Sequence, residues 1–145
     1  MHGSHFLKGY SSTQIELAMS SGEAEYFAGI RCASAGLGMQ SFASDLGSKK
    51  DVSVGVDSTA ALGIMRRTGL GKIRHLALPL LWLQSAIRTG RIKCFKEPGT
   101  DNVADVGTKY LPGPRLWELV SKLGYHSLEG ESKLALKTTY YVTTK

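Results

Sequence analysis

Three acidic residues stand where chemistry can use them: Glu25, Asp57 and Asp105. Carboxylates from separate elements that meet at one place hold hard cations such as Mg²⁺, which takes oxygen ligands and keeps several waters. Two such ions about 4 Å apart activate a water and stabilise the leaving oxygen in phosphodiester cleavage. Asp57 is the most pointed of the three, because it ends an apolar run, Val52 to Val56. Ligands of open α/β sheets gather at the C-terminal ends of strands. Each acid also has a plain structural reading. Glu25 suits the positive end of a helix macrodipole, Asp57 suits a helix cap, and Asp105 suits the solvent face of a short helix.

The elements that must position these residues are legible in the pattern. Ser20-Ser21-Gly22-Glu23 fits a capping box, with Ser20 capping the first free amides and Glu23 reaching back to the Ser20 backbone. The helix behind it places Phe27, Ile30, Ala33, Leu37 and Phe42 on related faces. Gly36 and Gly38 are expected to weaken or bend it, and Gly47 to end it. Asp51 to Asp57 (DVSVGVD) alternates as a strand, and Ser58 caps a helix from Thr59 to Arg66. A glycine-rich basic loop, Arg67 to His75, leads to a second long helix from Leu76 to Thr89, with Pro79 tolerated in its first turn. Arg91 to Lys96 reads as a strand, and Pro98-Gly99 as a turn. Asp101 or Asn102 caps a helix from Val103 to Lys109, and Arg115 to Leu123 is a last amphipathic helix. At the start, His5 to Gln14 (HFLKGYSSTQ) reads as a short strand closed by a Ser/Thr turn.

This order predicts an α/β layer fold with a partly parallel sheet. One domain is expected over residues 5–124, followed by a tail, 125–145. The end of that tail, Leu136 to Thr143, is rich in Thr, Tyr and Val. It reads either as one extra strand or as a flexible extension.

A chain of 145 residues is long enough to bury a core. It holds no apolar run near the roughly 20 residues that span a bilayer. Its first ten residues carry no apolar signal-peptide core. An intracellular location, cytoplasm or nucleus, with no membrane partner is therefore expected. Cys32 and Cys94 are far apart, and His2, His5, His75 and His126 are scattered, so neither a disulfide framework nor a zinc spacing is present. The net charge of +6 is unevenly spread. Between Ser58 and Lys96 stand Arg66, Arg67, Lys72, Arg74, Arg88, Arg91, Lys93 and Lys96, with no Asp or Glu. Such a block is either a phosphate-binding surface or a solvated basic face.

Four segments occur in order: Ser20 to Gly29 (SSGEAEYFAG), Val54 to Ala61 (VGVDSTAA), Gly71 to Leu76 (GKIRHL) and Asn102 to Lys109 (NVADVGTK). Together, over Phe6 to Leu111, they resemble the ribonuclease H domain of copia-type retrotransposon polyproteins. The resemblance implies a ribonuclease H-like fold, a mixed sheet flanked by helices. It also implies metal-dependent cleavage of RNA in RNA/DNA hybrids with two Mg²⁺ (or Mn²⁺) ions. Carried over by position, Glu25, Asp57 and Asp105 are the catalytic, metal-binding carboxylates. Glu23 rivals Glu25, unless the capping box turns it back towards Ser20. Arg66, Arg67, Lys72, Arg74 and His75 become nucleic-acid contacts, directed at phosphates and 2′-hydroxyls rather than base edges.

The sequence departs from the family in two places. The family has an acid soon after the loop histidine, where Ala77 and Leu78 follow Leu76 here. The family's first strand carries a first catalytic aspartate and a second strand pairs with it, whereas no Asp or Glu precedes Glu16 here. The expectation is a domain lacking those two strands and one of four carboxylates, with an open sheet edge and little nuclease activity alone. A segment supplied upstream or by another chain, or the strand-like tail, would close that edge. The alternative function is a catalytically dead nucleic-acid-binding remnant. A structural role without nucleic acid rests on composition alone.

Overall fold

The computed structural model describes residues 6–14, 17–71 and 78–125. The expected tail strand, and Lys72, Arg74 and His75, lie outside the described residues. The elements are α1 (Ser21–Asp45), β1 (Val52–Val56), α2 (Thr59–Arg66), α3 (Trp82–Arg88), β2 (Ile92–Lys96) and α4 (Gly113–Lys122), with short 3-10 helices at Leu78–Leu81 and Val103–Gly107. The chain is a mixed α/β fold. β1 and β2 run parallel with Val54 opposite Cys94, and they are the sheet among the described residues.

The alternation read from the sequence sets the two faces of this sheet. Val52, Val54 and Val56 are buried, and Ser53 and Gly55 are exposed. A parallel pair needs a crossover connection, which α2 and α3 supply. On the buried face the three valines join Tyr26, Phe27 and Ala33 of α1, Leu62, Ile64 and Met65 of α2, Leu83 and Ala86 of α3, and Ile92 of β2. The opposite face carries Phe95, which lies on Gly55.

Helix α1 runs for 25 residues through Gly36 and Gly38 without a break. Gly22, Gly29 and Gly36 recur every seventh residue, on the face that meets α2 and β1. A Cβ at Gly22 would sit 2.8 Å from Ala60 Cβ, and one at Gly36 would sit 2.8 Å from Val52 Cγ1. Glycine in a helix interior costs about 1 kcal/mol relative to alanine. Burying a side chain such as Met65, Leu83 or Ile92 contributes about 1.5–3 kcal/mol. The close approach therefore gains more than the glycines lose. Phe27 and Ala33 are buried as expected, but Phe42 is 60 % exposed, because β1 and α2 meet only the earlier turns of this face. Ser20 Oγ accepts from the Glu23 amide at 3.3 Å. At the other end Gly47, at φ +78°, closes the helix with its amide on the Ser44 carbonyl.

Other expectations shift. Residues 6–14 form no strand. Strand preference is realised only against a partner, and this segment lies elsewhere. Phe6 packs on Tyr125 with ring centroids 5.9 Å apart, and Ser12 Oγ accepts from Arg31 of α1. The second long helix is, within its described part, a 3-10 turn containing Pro79 followed by seven α-helical residues. The short helix after Asn102 is 3-10 and stops at Gly107. Cys94 packs against the core and Cys32 is exposed; both are free.

Candidate functional site

Each of the three acids sits at the end of an element whose local signals fix it. Glu25 is in the second turn of α1, which the Ser20 cap starts. Glu23 is buried, and its carboxylate accepts from the Met19 amide at 2.9 Å, one residue before the Ser20 amide that a capping box would use. Glu23 is thus turned to the helix start, while Glu25 faces the other acids. Asp57 follows the last residue of β1, and Ser58 Oγ caps α2 by accepting from the Ala61 amide at 3.1 Å. The plain reading of Asp57 as the cap is therefore not realised. Asp105 is in the Val103–Gly107 helix and is buried.

Backbone ties bring Asp57 and Asp105 together. The ladder between β1 and β2 continues one step further, from the Glu97 amide to the Val56 carbonyl at 2.8 Å. Lys96 Nζ donates to the Asp57 carbonyl. Asn102 then acts twice: its Oδ1 accepts from the Ala104 amide at 3.1 Å, and its Nδ2 donates to Asp57 Oδ2 at 3.0 Å. One side chain starts the helix that bears Asp105 and anchors that helix to Asp57. The loop before it is fastened to α4, where Arg115 donates to the Thr100 carbonyl and Lys122 pairs with Asp101.

The electrostatics record the convergence. The Glu25 carboxyl is pushed above the usual glutamate range, first by desolvation, then by the negative charge of Asp57, with Lys109 opposing and Asp105 adding a further push. Lys109 Nζ lies 2.9 Å from Asp105 Oδ1. That contact raises the Lys109 ammonium above its ordinary value, and Asp57 and Glu25 contribute smaller pushes in the same direction. Three carboxylates and one ammonium thus share one electrostatic environment at the C-terminal end of β1. Among the described residues no three Asp, Glu, His or Cys side chains converge closely enough to share one metal ion as they stand. Carboxylate oxygens are the donor type that hard cations take, and an ammonium, Lys109, sits on Asp105.

The basic residues separate from the acids by what they touch. Arg66 donates to the Cys94 carbonyl at 3.0 Å, and Arg67 folds over Gly71 to donate to the Leu70 carbonyl. Arg66 thus ties α2 to β2, and Arg67 braces the turn after α2. Arg88, Arg91, Lys93 and Lys96 are exposed, with Lys93 paired to Asp51 at 2.9 Å. A hollow of about 220 Å³ beside the glycine loop, lined by Thr68, Gly69, Leu81, Gln84, Ser85 and Arg88, falls below the size of typical small-molecule pockets. No helix among the described residues is long and apolar enough to cross a membrane.

Sequence reasoning named all three acids but missed three supporting residues. Asn102 is visible in sequence as a cap, while its second bond, to Asp57, is not. Lys109 is signalled by its place four residues after Asp105, a spacing that supports ion pairs. Gln84, buried in α3, carries no sequence signal. Comparison with known protein families, with characterised proteins and with solved structures gives no match to this chain.

Proposed function

We propose that this chain is a ribonuclease H-like domain of copia-type retrotransposon descent, whose Glu25, Asp57 and Asp105 form the acidic part of a site for Mg²⁺ or Mn²⁺ acting on RNA/DNA hybrids. What supports this reading is Asn102, which caps the helix bearing Asp105 and donates to Asp57 Oδ2 at 3.0 Å, with Glu25 close enough for the charges of both acids to raise its carboxyl. Bound divalent ions supply an activated water and stabilise the leaving oxygen. The chain's own part is positional. Asn102 orients the Asp57 carboxylate, the buried turn at Val103–Gly107 fixes Asp105, and the capped start of α1 fixes Glu25. The exposed cations at Arg88, Arg91 and Lys96 provide a salt-sensitive attraction for the phosphate backbone.

A second reading is a hybrid-binding domain without catalysis. It is favoured by the Lys109 ammonium seated on Asp105 and by the block from Ser58 to Lys96 that carries eight cations and no acid. Glu25, Asp57 and Asp105 are also three acids where the resemblance implies four. A fourth acid, brought by a further segment that adds strands to the open sheet edge, would restore the set.

The test is incubation of a labelled RNA/DNA hybrid with the chain in Mg²⁺ or Mn²⁺, beside Asp57→Asn. Slow, metal-dependent cleavage that Asp57→Asn abolishes supports the nuclease reading. Retention of the hybrid at low salt without cleavage supports the second. A folded chain that neither cleaves nor retains the hybrid refutes both.

A further inference from the structure

We infer that the outer face of α1 is a self-association surface, on which a second copy of this chain docks its own α1 in antiparallel fashion.

A helix face in water is normally charged or polar, and this one is apolar. Ala28, Cys32, Ala35, Met39, Phe42 and Leu46 follow one another at intervals of four and three residues, the spacing that lines up one seam along a helix. All six are exposed, with Met39, Phe42 and Leu46 at 42, 60 and 71 %. From Cys32 to Ser44 the helix carries no Asp, Glu, Lys or Arg. The seam is separate from the side of α1 that buries Tyr26, Phe27 and Ala33 and brings Gly22, Gly29 and Gly36 against α2 and β1. A contiguous exposed apolar stripe of this kind marks an interaction surface.

The seam is complementary to itself when reversed. Its first half is small (Ala28, Cys32, Ala35) and its second half is large (Met39, Phe42, Leu46). Two antiparallel copies set Ala28 against Leu46, Cys32 against Phe42 and Ala35 against Met39, each layer formed twice about a two-fold axis. Large then meets small in every layer. Parallel pairing would instead oppose Phe42 to Phe42 and leave the alanine layers underfilled. Charge agrees with the reversed register. Arg31 and Asp45 bound the uncharged stretch, each one residue before a seam residue, so they flank the seam on the same side. Antiparallel docking brings Arg31 of one copy to Asp45 of the other, whereas parallel docking keeps them about 20 Å apart along the axis. Arg31 is held at this flank by its bonds to Ser12 Oγ and the Thr13 carbonyl. A membrane surface would call for several Lys or Arg beside the apolar stripe, which this helix does not carry.

The seam covers fewer than three heptads. It therefore stands below the about 800 Å² per partner of a standard interface, and the dimer is expected at concentrations on the order of 100 µM.

The experiment is sedimentation equilibrium of the whole chain from about 5 to 500 µM, a range that brackets a weak interface, comparing wild type with Phe42→Glu and Trp117→Glu. Phe42 and Trp117 are similarly exposed, at 60 and 56 %, so neither change empties the core, and both variants should melt with wild type at low concentration. Wild type should dimerise, Phe42→Glu should weaken the dimer at least about tenfold, and Trp117→Glu, on α4, should leave it unchanged. The register is read by diamide oxidation and mass spectrometry. An equimolar mixture of Ala28→Cys and Leu46→Cys proteins should give the mixed disulfide dimer, and either protein alone should not crosslink through its new cysteine. A wild-type chain that stays monomeric throughout overturns the inference, as does a dimer that survives Phe42→Glu or is lost in Trp117→Glu. Disulfide dimers joined through the new cysteine of either protein alone, without the mixed product, overturn the antiparallel pairing.

Discussion

Gln84 is the side chain whose loss should tell most about how this fold is held. It is 6 % exposed in α3, yet fully polar at its tip. Its Nε2 donates to the Ile64 carbonyl at 2.9 Å and to the Gly69 carbonyl at 3.1 Å, and its Oε1 accepts from the Gly69 amide at 2.8 Å. Ile64 is in the last turn of α2, where carbonyls have no partner within the helix. Gly69 sits at φ +80°, a left-handed conformation that nothing nearby but these bonds fixes. One amide thus ends α2 and sets the turn into the basic loop. Each bond contributes about 0.5–1.5 kcal/mol net, and a buried group left without a partner costs about 1–3 kcal/mol. Gln84→Leu keeps the volume and gains apolar surface, and water reaches part of the freed loop, so the sum falls to about 2–3 kcal/mol. For a chain of this size each kcal/mol moves the melting temperature by about 3–4 °C, giving a fall of about 6–12 °C. Thermal and urea denaturation followed by circular dichroism measure it. Gln84→Glu should be no more stable than Gln84→Leu at neutral pH, because a carboxylate oxygen would face two carbonyls. A Gln84→Leu protein within about 0.5 kcal/mol of wild type, the range of inconsequential surface changes, refutes the reasoning.

The glycines of α1 should separate by sign. Gly22→Ala places a Cβ against Ala60 Cβ, which cannot rotate away, so overpacking of about 1–3 kcal/mol exceeds the gain in helix propensity. Gly38→Ala meets open space and should stabilise by about 0.5–1 kcal/mol in urea denaturation. Stability should also fall in alkali through Tyr26, whose hydroxyl donates to the Leu80 carbonyl at 2.7 Å and whose pKa burial pushes up to about 12. The unfolded state then releases its proton first. The contribution is complete below pH 10 and lost as the pH rises towards 12, at most about 2–3 kcal/mol. Tyr26→Phe should lose about 1 kcal/mol at neutral pH and show a flatter alkaline limb. Identical alkaline limbs for the two proteins would dismiss Tyr26 as the cause.

What could be read from the sequence was whatever is decided within a few residues. The alternation of Val52, Val54 and Val56, the Ser20 and Ser58 caps and the Gly47 stop are local rules, and each appears in the structure. What the sequence hid was decided by partners distant in the chain. Residues 6–14 read as part of a short strand, but Phe6 meets Tyr125 and Ser12 meets Arg31, and no ladder forms. The glycines of α1 read as helix weakeners until Ala60, Met65 and Val52 are seen against them. Charge alone left Arg66 and Arg67 open between phosphate contact and a solvated face, and it gave no sign of their hydrogen bonds to the Cys94 and Leu70 carbonyls.

The same division explains why the three acids could be named and their state could not. Their positions follow from local structure: a capped helix start, a strand end and a capped turn. Their partners, Asn102 on Asp57 and Lys109 on Asp105, reach them across space. Bringing three like charges together opposes folding unless something offsets the repulsion. In this chain the offset is partly covalently attached, as Lys109, and partly electrostatic penalty left standing, as the raised Glu25 carboxyl.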